Sequence, residues 1–207
     1  MDSHKIRSLF LEHLPAGTID YCLGLWTAQP FDFKLRKSRH TKVGDFTCHP
    51  GRTPRITINR DLHPYLFLLT YIHEVAHLEV HRQFGNRVEG HGQEWKMTFR
   101  QMAEPILNEL IFPADLLVAL RSHMADPRAS TFSDPELVRV LRLYDPHANK
   151  QTFLGDIPEG SIFGIRGRWF KKGETKRTRV LCQEINSKRK YFVPLDAAVE
   201  NVQLSLL

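Results

Sequence analysis

The chain has 207 residues, of which 42% are hydrophobic and 25% are charged, an ordinary balance for a water-soluble globular protein. Its length allows one domain, or one domain followed by a small module. The formal net charge is +6, and a basic excess of this size permits binding to nucleic acid without requiring it.

The N-terminus and the cysteines bear on where the protein works. The first residues run directly into an amphipathic helix pattern, without the apolar region or cleavage site of a secretory signal. No apolar run is long enough to span a membrane. The three cysteines, Cys22, Cys48 and Cys182, are widely spaced, form no disulfide framework and fit a reducing compartment. We therefore expect a cytoplasmic protein with no membrane partner.

Helix and strand patterns alternate through residues 1–150. The patterns predict helices at 3–14 and 17–28, strands at 31–36, 43–48 and 55–58, a long helix from Pro64, and helices at 114–124 and 135–144. The long helix is apolar on every face, which is typical of a buried helix. Gly85 is a plausible cap at its C-terminal end. This order of elements predicts an α+β domain over residues 1–150.

The remaining residues, 151–207, have a different sequence pattern. Short strand patterns occur at 161–165, 168–170, 178–182 and 190–193, with turns predicted at Lys172-Gly173-Glu174 and at Asn186-Ser187. They predict a small antiparallel β module. Its inward-facing residues would be Phe163, Trp169, Val180 and Tyr191, although the aromatic residues among them would also suit stacking on nucleic-acid bases.

Residues 73–77 read His-Glu-Val-Ala-His, and His91 follows fourteen positions after His77. Two histidines four apart lie on one face of a helix, so both imidazoles can reach one metal ion. Glu74 flanks that face, as the glutamate of a zinc peptidase does. The alternative is a chance pair of surface histidines. The apolar flanks disfavour it, because buried polar groups need partners and a metal supplies them.

Three residues after His77 compete as the third ligand. His81 lies about 12 Å along the helix axis from His73, which is too far for both to bind one ion beside His77. Glu89 is a possible oxygen ligand on the approach to a turn. His91 is best placed, at the start of a second helix that packs back on the first. Three protein ligands leave one position for water, which is the catalytic rather than the structural pattern.

Residues 73–77, together with His91-Gly92-Gln93-Glu94-Trp95, resemble the SprT-like metallopeptidases, the family that includes Spartan. Residues 55–62 resemble the strand that enters the active-site helix in that family, and the resemblance covers roughly residues 8–110. It implies a zincin-like catalytic domain that cleaves proteins, in some members proteins crosslinked to DNA. It also implies the zinc ligands His73, His77 and His91 and the general base Glu74.

The resemblance is incomplete downstream. Many members of the family carry a four-cysteine zinc ribbon after the catalytic part. Only Cys182 lies in the corresponding region here, so a ribbon within this sequence is excluded on ligand count.

We expect a zinc-dependent endopeptidase in which Glu74 takes a proton from a zinc-activated water. The rival from another class is a non-catalytic nucleic-acid-binding or adaptor protein on a zincin scaffold. An intact Glu74 argues against it, because a structural zinc needs no base. Hydrolysis of a non-protein amide stays open as a third possibility. The candidates for stabilising the oxyanion are Tyr65, Tyr71 and Arg87.

Basic residues cluster at 34–42, 171–179 and 188–190. The second cluster surrounds one predicted hairpin beside Trp169, and consists of Lys171, Lys172, Lys176, Arg177 and Arg179. We predict that the segment Lys171–Arg179 contacts DNA through its phosphates. The alternative is a solvated basic surface that keeps the protein soluble.

Overall fold

The computed structural model describes residues 2–39, 42–146 and 152–203, and it confirms an α+β protein. The chain forms two compact units, Met1–Ala129 and Ser130–Leu207. The boundary predicted between residues 150 and 151 lies outside the described residues. In the structure, the helix at Pro135–Leu143 groups with the second unit rather than with the first. No helix among the described residues is long and apolar enough to cross a membrane.

The first unit contains five helices and three strands in its described part. These elements are α1 (Ser3–His13), α2 (Ile19–Ala28), β1 (Asp32–Arg36), β2 (Gly44–Thr47), β3 (Arg55–Asn59), α3 (Pro64–Phe84), α4 (Gln93–Ala103) and α5 (Ala114–Ala125). Short 3-10 turns precede α2 and follow α4. All three predicted strands are present, each within one or two residues of its predicted bounds.

The three strands form a mixed sheet in the order β1-β3-β2. Strand β1 runs parallel to β3, whereas β2 pairs antiparallel with β3 and occupies an edge of the sheet. Ile56 and Ile58 of β3 are completely buried, because the central strand is covered on both sides. Helix α3 contacts both β2 and β3, so the edge strand lies beside the long helix.

An aromatic cluster fixes α3 against the N-terminal elements. Phe10 of α1, Phe33 of β1 and Tyr71 of α3 meet edge to face, with ring centroids 5.0–5.9 Å apart. The Tyr71 hydroxyl donates a hydrogen bond of 2.9 Å to the carbonyl of Cys22. Tyr71 is therefore a core residue whose hydroxyl already has a partner, which removes it as a candidate for stabilising an oxyanion.

Helix α3 begins and ends at the residues that its sequence predicts. Pro64 occupies the first turn, and the Nδ1 atom of His63 accepts a hydrogen bond from the Leu66 amide. At the other end Gly85 adopts φ +61°, a conformation that favours glycine, and its amide donates to the His81 carbonyl at 2.8 Å. These caps set the length of the helix that carries the two histidines.

The second unit combines one described helix with a six-stranded sheet. Its elements are α6 (Pro135–Leu143), β4 (Thr152–Phe153), β5 (Ile162–Ile165), β6 (Arg168–Lys176), β7 (Arg179–Glu184), β8 (Lys190–Pro194) and β9 (Ala198–Gln203). The strand order is β4-β9-β5-β6-β7-β8, and all the pairings are antiparallel. Strands β4 and β9 were not predicted from the sequence.

Two sequence interpretations of this module were wrong. The turn predicted at residues 172–174 lies inside β6, where the register shifts between Lys172 and Thr175. Gly173 marks that bulge, because a side chain there would come within 2.5 Å of the Leu181 carbonyl. Trp169, predicted to point inward, is exposed, and the neighbouring Phe170 occupies the core. A shift of one residue along a strand exchanges the two faces of the sheet.

Candidate metal centre

The three histidines singled out in the sequence converge on one point. His73 and His77 project from the same face of α3, and His91 reaches them from the segment just before α4. The Nε2 atom of His77 lies 3.2 Å from that of His73 and 3.0 Å from that of His91. The Nε2 atoms of His73 and His91 are 3.3 Å apart. The nitrogens therefore form a nearly equilateral triangle.

This triangle fits a bound zinc ion. Bonds of 2.0–2.1 Å in tetrahedral geometry place neighbouring ligand nitrogens about 3.3–3.4 Å apart, close to the separations observed. A neutral imidazole carries a proton on only one nitrogen, so three Nε2 atoms cannot all satisfy one another with hydrogen bonds of good geometry. A cation that accepts three lone pairs satisfies all of them at once.

The protonation states also favour metal binding. Burial, together with the neighbouring histidines, lowers the pKa of His73 to about 3. Burial likewise lowers the pKa of His77 to about 4 and that of His91 below its ordinary value. All three imidazoles are neutral near pH 7, so each keeps a lone pair available for a metal.

The other two candidate ligands lie outside the group. His81 packs against Phe46, with ring centroids 5.8 Å apart, and is not among the residues whose ligand atoms converge. Glu89 is exposed, and its carbonyl accepts a hydrogen bond of 3.0 Å from the Gly92 amide. Glu89 therefore helps to shape the turn that delivers His91.

Trp95 forms a wall behind the three histidines. It is completely buried, and its ring centroid lies 4.6 Å from that of His73, 5.4 Å from that of His77 and 4.7 Å from that of His91. Phe99, one turn further along α4, stacks on Trp95 at 4.9 Å. The sequence singled out Trp95 only as part of the segment after His91. Its contact with all three imidazoles follows from the way α4 packs on α3.

Glu74 lies beside the histidines but faces the edge strand. Its side chain is 7% exposed. Burial and, to a smaller extent, the charge of Asp45 raise its pKa to about 8, although a hydrogen bond from the backbone of Phe46 acts in the opposite direction. A Cβ atom on Gly44 would overlap Oε1 of Glu74 and lie 2.6 Å from Cγ2 of Thr70. The carboxyl group therefore approaches β2 at a place where only glycine fits.

Arg39 holds the segment that leads into β2. Its guanidinium donates to the Asn59 side chain at 2.8 Å and to the Thr57 hydroxyl at 3.1 Å. The Asn59 amide donates in return to the carbonyls of Arg39 and Lys42, both at 3.2 Å. This network ties the segment to β3 and so sets the position of Gly44. His40, from the same basic stretch, lies outside the described residues.

Comparison with known proteins agrees with this geometry. Residues 24–112, which include the histidines, Glu74, Gly44 and Trp95, match the SprT-like family. We refer to residues 24–112 as the SprT-like segment. A stretch of 35 residues is 49% identical to Protein SprT of Pseudomonas putida and of Pseudomonas fluorescens, and 46% identical to that of Pseudomonas entomophila.

These matches are local. The 35 aligned residues cover 17% of this chain and 21% of each relative, so the chain spans about a fifth of the length of the curated relatives that it matches. No solved structure matches the chain. The second unit lies beyond the SprT-like segment.

Proposed function

We propose that the SprT-like segment is a zincin-like, zinc-dependent endopeptidase. Zinc would be held by His73, His77 and His91, with Glu74 as the general base. The observation that carries the proposal is the triangle of Nε2 atoms, 3.0–3.3 Å on a side, with a buried carboxyl group on the adjoining residue.

Zinc, when bound, supplies Lewis-acid chemistry, since it polarises a carbonyl and lowers the pKa of water to about 7. Glu74 takes a proton from the attacking water on its carboxylate and then delivers it to the departing amine nitrogen. The pKa of Glu74 is raised when no metal is bound. A nearby divalent cation would lower this pKa and so favour the ionised carboxylate, which is the form that acts as a base.

The edge strand offers a way to bind an extended peptide. Among the described residues β2 pairs only with β3, and it lies beside α3. A substrate segment that adds to the free edge of β2 would be held through backbone hydrogen bonds, which tolerate many side chains. This mode suits a peptidase that acts on unstructured proteins. Action on DNA-associated proteins is a narrower form of the same proposal.

Zinc content and cleavage of an unstructured protein test the proposal together. We expect about one zinc per chain in the wild type and in Glu74→Gln, because the amide keeps the shape of the side chain. Cleavage by Glu74→Gln should fall by about 10²–10⁴ because the base is lost. Equal activity in the two proteins would remove Glu74 from the mechanism.

Two histidine variants supply a matched pair. His91→Ala should lose most of the zinc, whereas His81→Ala should retain it, since only His91 belongs to the triangle. The opposite result would show that the ligand assignment is wrong. Zinc binding without hydrolysis of any unstructured protein would favour the non-catalytic adaptor.

A further inference from the structure

One face of the sheet in the second unit is exposed, aromatic and basic. The opposite face carries the core of the unit, which includes Phe163, Phe170, Val180 and Cys182. Because side chains alternate along a strand, the residues between them point outward. The outward residues of β6, β7 and β8 include Trp169, Lys171, Lys176, Arg179, Leu181, Gln183, Lys190 and Phe192. Trp169 is 36% exposed and Phe192 is 53% exposed.

The strand register places these residues in rows. Lys171 is opposite Gln183, which is opposite Lys190, so the two lysines flank β7 in one row. Trp169 lies two residues from Lys171, on one side of that row. Phe192 lies two residues from Lys190 on the other side, opposite Leu181, and Arg179 follows along β7. Aromatic and cationic side chains therefore alternate along the face at roughly 7 Å per row.

Three of the cations on this face have no acidic partner in the described part of the chain. Among the residues that the structure describes, no carboxylate pairs with Lys171, Arg179 or Lys190, whereas Lys176 lies 3.7 Å from Glu174. Lys172, which the sequence placed in the same cluster, points into the core. Glu200 shares the outward face but lies on β9, beyond β5. The positive charge therefore lies over β6, β7 and β8.

The other basic stretch, residues 34–42, differs in this respect. Lys34 pairs with Asp32 at 3.2 Å, and Lys42 pairs with Asp45 at 2.6 Å. Arg39 is occupied by the sheet network of the first unit. Three of its cations thus have internal partners, so this stretch offers a weaker site for a polyanion.

We propose that the outward face of β6, β7 and β8 binds single-stranded nucleic acid. Bases stack on Trp169 and Phe192, and Lys171, Lys190 and Arg179 contact the phosphates between them. Alternation of base and phosphate along a single strand matches the alternation of aromatic and cationic rows, and stacking on aromatic side chains tolerates any base sequence. A duplex would bind more weakly, because its bases are already stacked on one another.

Anisotropy of a labelled oligothymidylate with the full-length protein tests this proposal. Binding should weaken with salt along a line in log–log coordinates, with a slope of about −2 for three phosphate contacts to a single strand. Trp169→Ala and Phe192→Ala should each weaken binding by roughly fivefold or more, and Trp169→Phe should restore most of the loss. A matched duplex should bind less tightly than the single strand.

Charge variants separate a site from a general effect of net charge. Lys171→Gln with Lys190→Gln should lower the salt slope by about 1.4. The control, Lys5→Gln with Lys37→Gln, removes the same charge from two exposed lysines of the first unit and should leave the slope unchanged. All the substituted side chains point to solvent, so melting curves should remain those of the wild type.

Several results would overturn the proposal. One is the absence of salt-sensitive binding by the wild type, and another is equal binding by the wild type and the two alanine variants. Equal affinity for the duplex, or equal competition by polyglutamate, would identify a general polyanion surface without base stacking.

Discussion

Both units bury charged side chains, and two of these, Lys172 and Glu74, have different surroundings. Lys172 in the second unit is 6% exposed, and its Nζ donates to the carbonyls of Leu154 at 2.8 Å and Ile157 at 2.7 Å. Glu74 in the first unit is buried to a similar degree, but burial raises its pKa to about 8. Lys172 links β6 to the segment after β4, whereas Glu74 lies beside three histidines.

The comparison shows how a buried charge can be interpreted. A buried charge whose hydrogen bonds go to backbone carbonyls stabilises the fold, because removing it leaves those carbonyls without that donor. A buried carboxyl group with a strongly raised pKa, next to convergent ligands, indicates a functional site, where the protein loses some stability for the sake of catalysis. Substitutions that act on one side chain and spare the other can separate the two cases.

The largest effect is expected from the glycine that faces Glu74. In Gly44→Ala the new methyl group would overlap Oε1 of Glu74, so the carboxyl group must leave its position against β2. We expect peptidase activity to fall by about 10² or more, because a general base works only within hydrogen-bond reach of its proton. Zinc content should stay near one per chain, since the histidines are untouched.

Gly24→Ala is the matched control for that substitution. A Cβ atom on Gly24 has no neighbour within 4 Å, and alanine favours the helix in which Gly24 lies. Gly24→Ala should retain full activity. If Gly44→Ala keeps wild-type activity with normal zinc content, the close approach of Glu74 to β2 does not matter for catalysis.

A smaller effect, on stability, is expected from replacing Lys172. Lys172→Met keeps the length of the side chain but removes the donor to two carbonyls, so we expect a loss of about 2 kcal/mol in the stability of the second unit. Hydrogen exchange measured by mass spectrometry should show faster exchange in residues 152–203 and unchanged exchange in α3. Lys171→Met, at the exposed neighbouring position, should change little. Equal effects of the two substitutions would contradict the structural role of Lys172.

The sequence was most informative in the first unit. Helix α3 could be predicted because its apolar pattern, Pro64 and Gly85 all agree, and its two histidines follow from the helical repeat. The contact of Glu74 with Gly44 could not be predicted. It depends on the pairing of β2 with β3 and on the Arg39 network, which join residues far apart in sequence.

In the second unit the strands were easier to predict than their faces. Basic and apolar residues are mixed along β6, so the pattern did not show that Phe170, and not Trp169, points inward. The bulge at Gly173 gave the same sequence signal as a turn, since glycine favours both. Strand β4, with two residues, is too short to show any alternation.

The smallest effect is expected at Glu79, a carboxylate whose shifted pKa is explained by hydrogen bonds from neighbouring side chains. Hydrogen bonding from Arg82, supported by Gln29 and Gln83, lowers the pKa of Glu79 to about 2. A lowered pKa stabilises the folded state at pH values above about 4.3, which is the pKa of a glutamate in the unfolded chain. This contribution disappears as the pH falls toward 2. Because Arg82 is largely exposed, solvent screens the pair, and we expect Glu79→Gln to cost only about 1 kcal/mol at pH 7.

Unfolding by urea at pH 7 and at about pH 3 measures this difference, which should shrink at the lower pH because Glu79 then binds a proton in the unfolded wild type while it stays mostly ionised in the folded protein. Glu136, which pairs with Arg139 one turn along α6, is the control, since both side chains are exposed and Glu136→Gln should cause no measurable change. The hydrogen bond from Gln29 to Glu79 connects the end of α2 to α3, the helix that carries the histidines. A loss from Glu79→Gln that is equally large at both pH values would mean that its shape, and not its charge, maintains this connection.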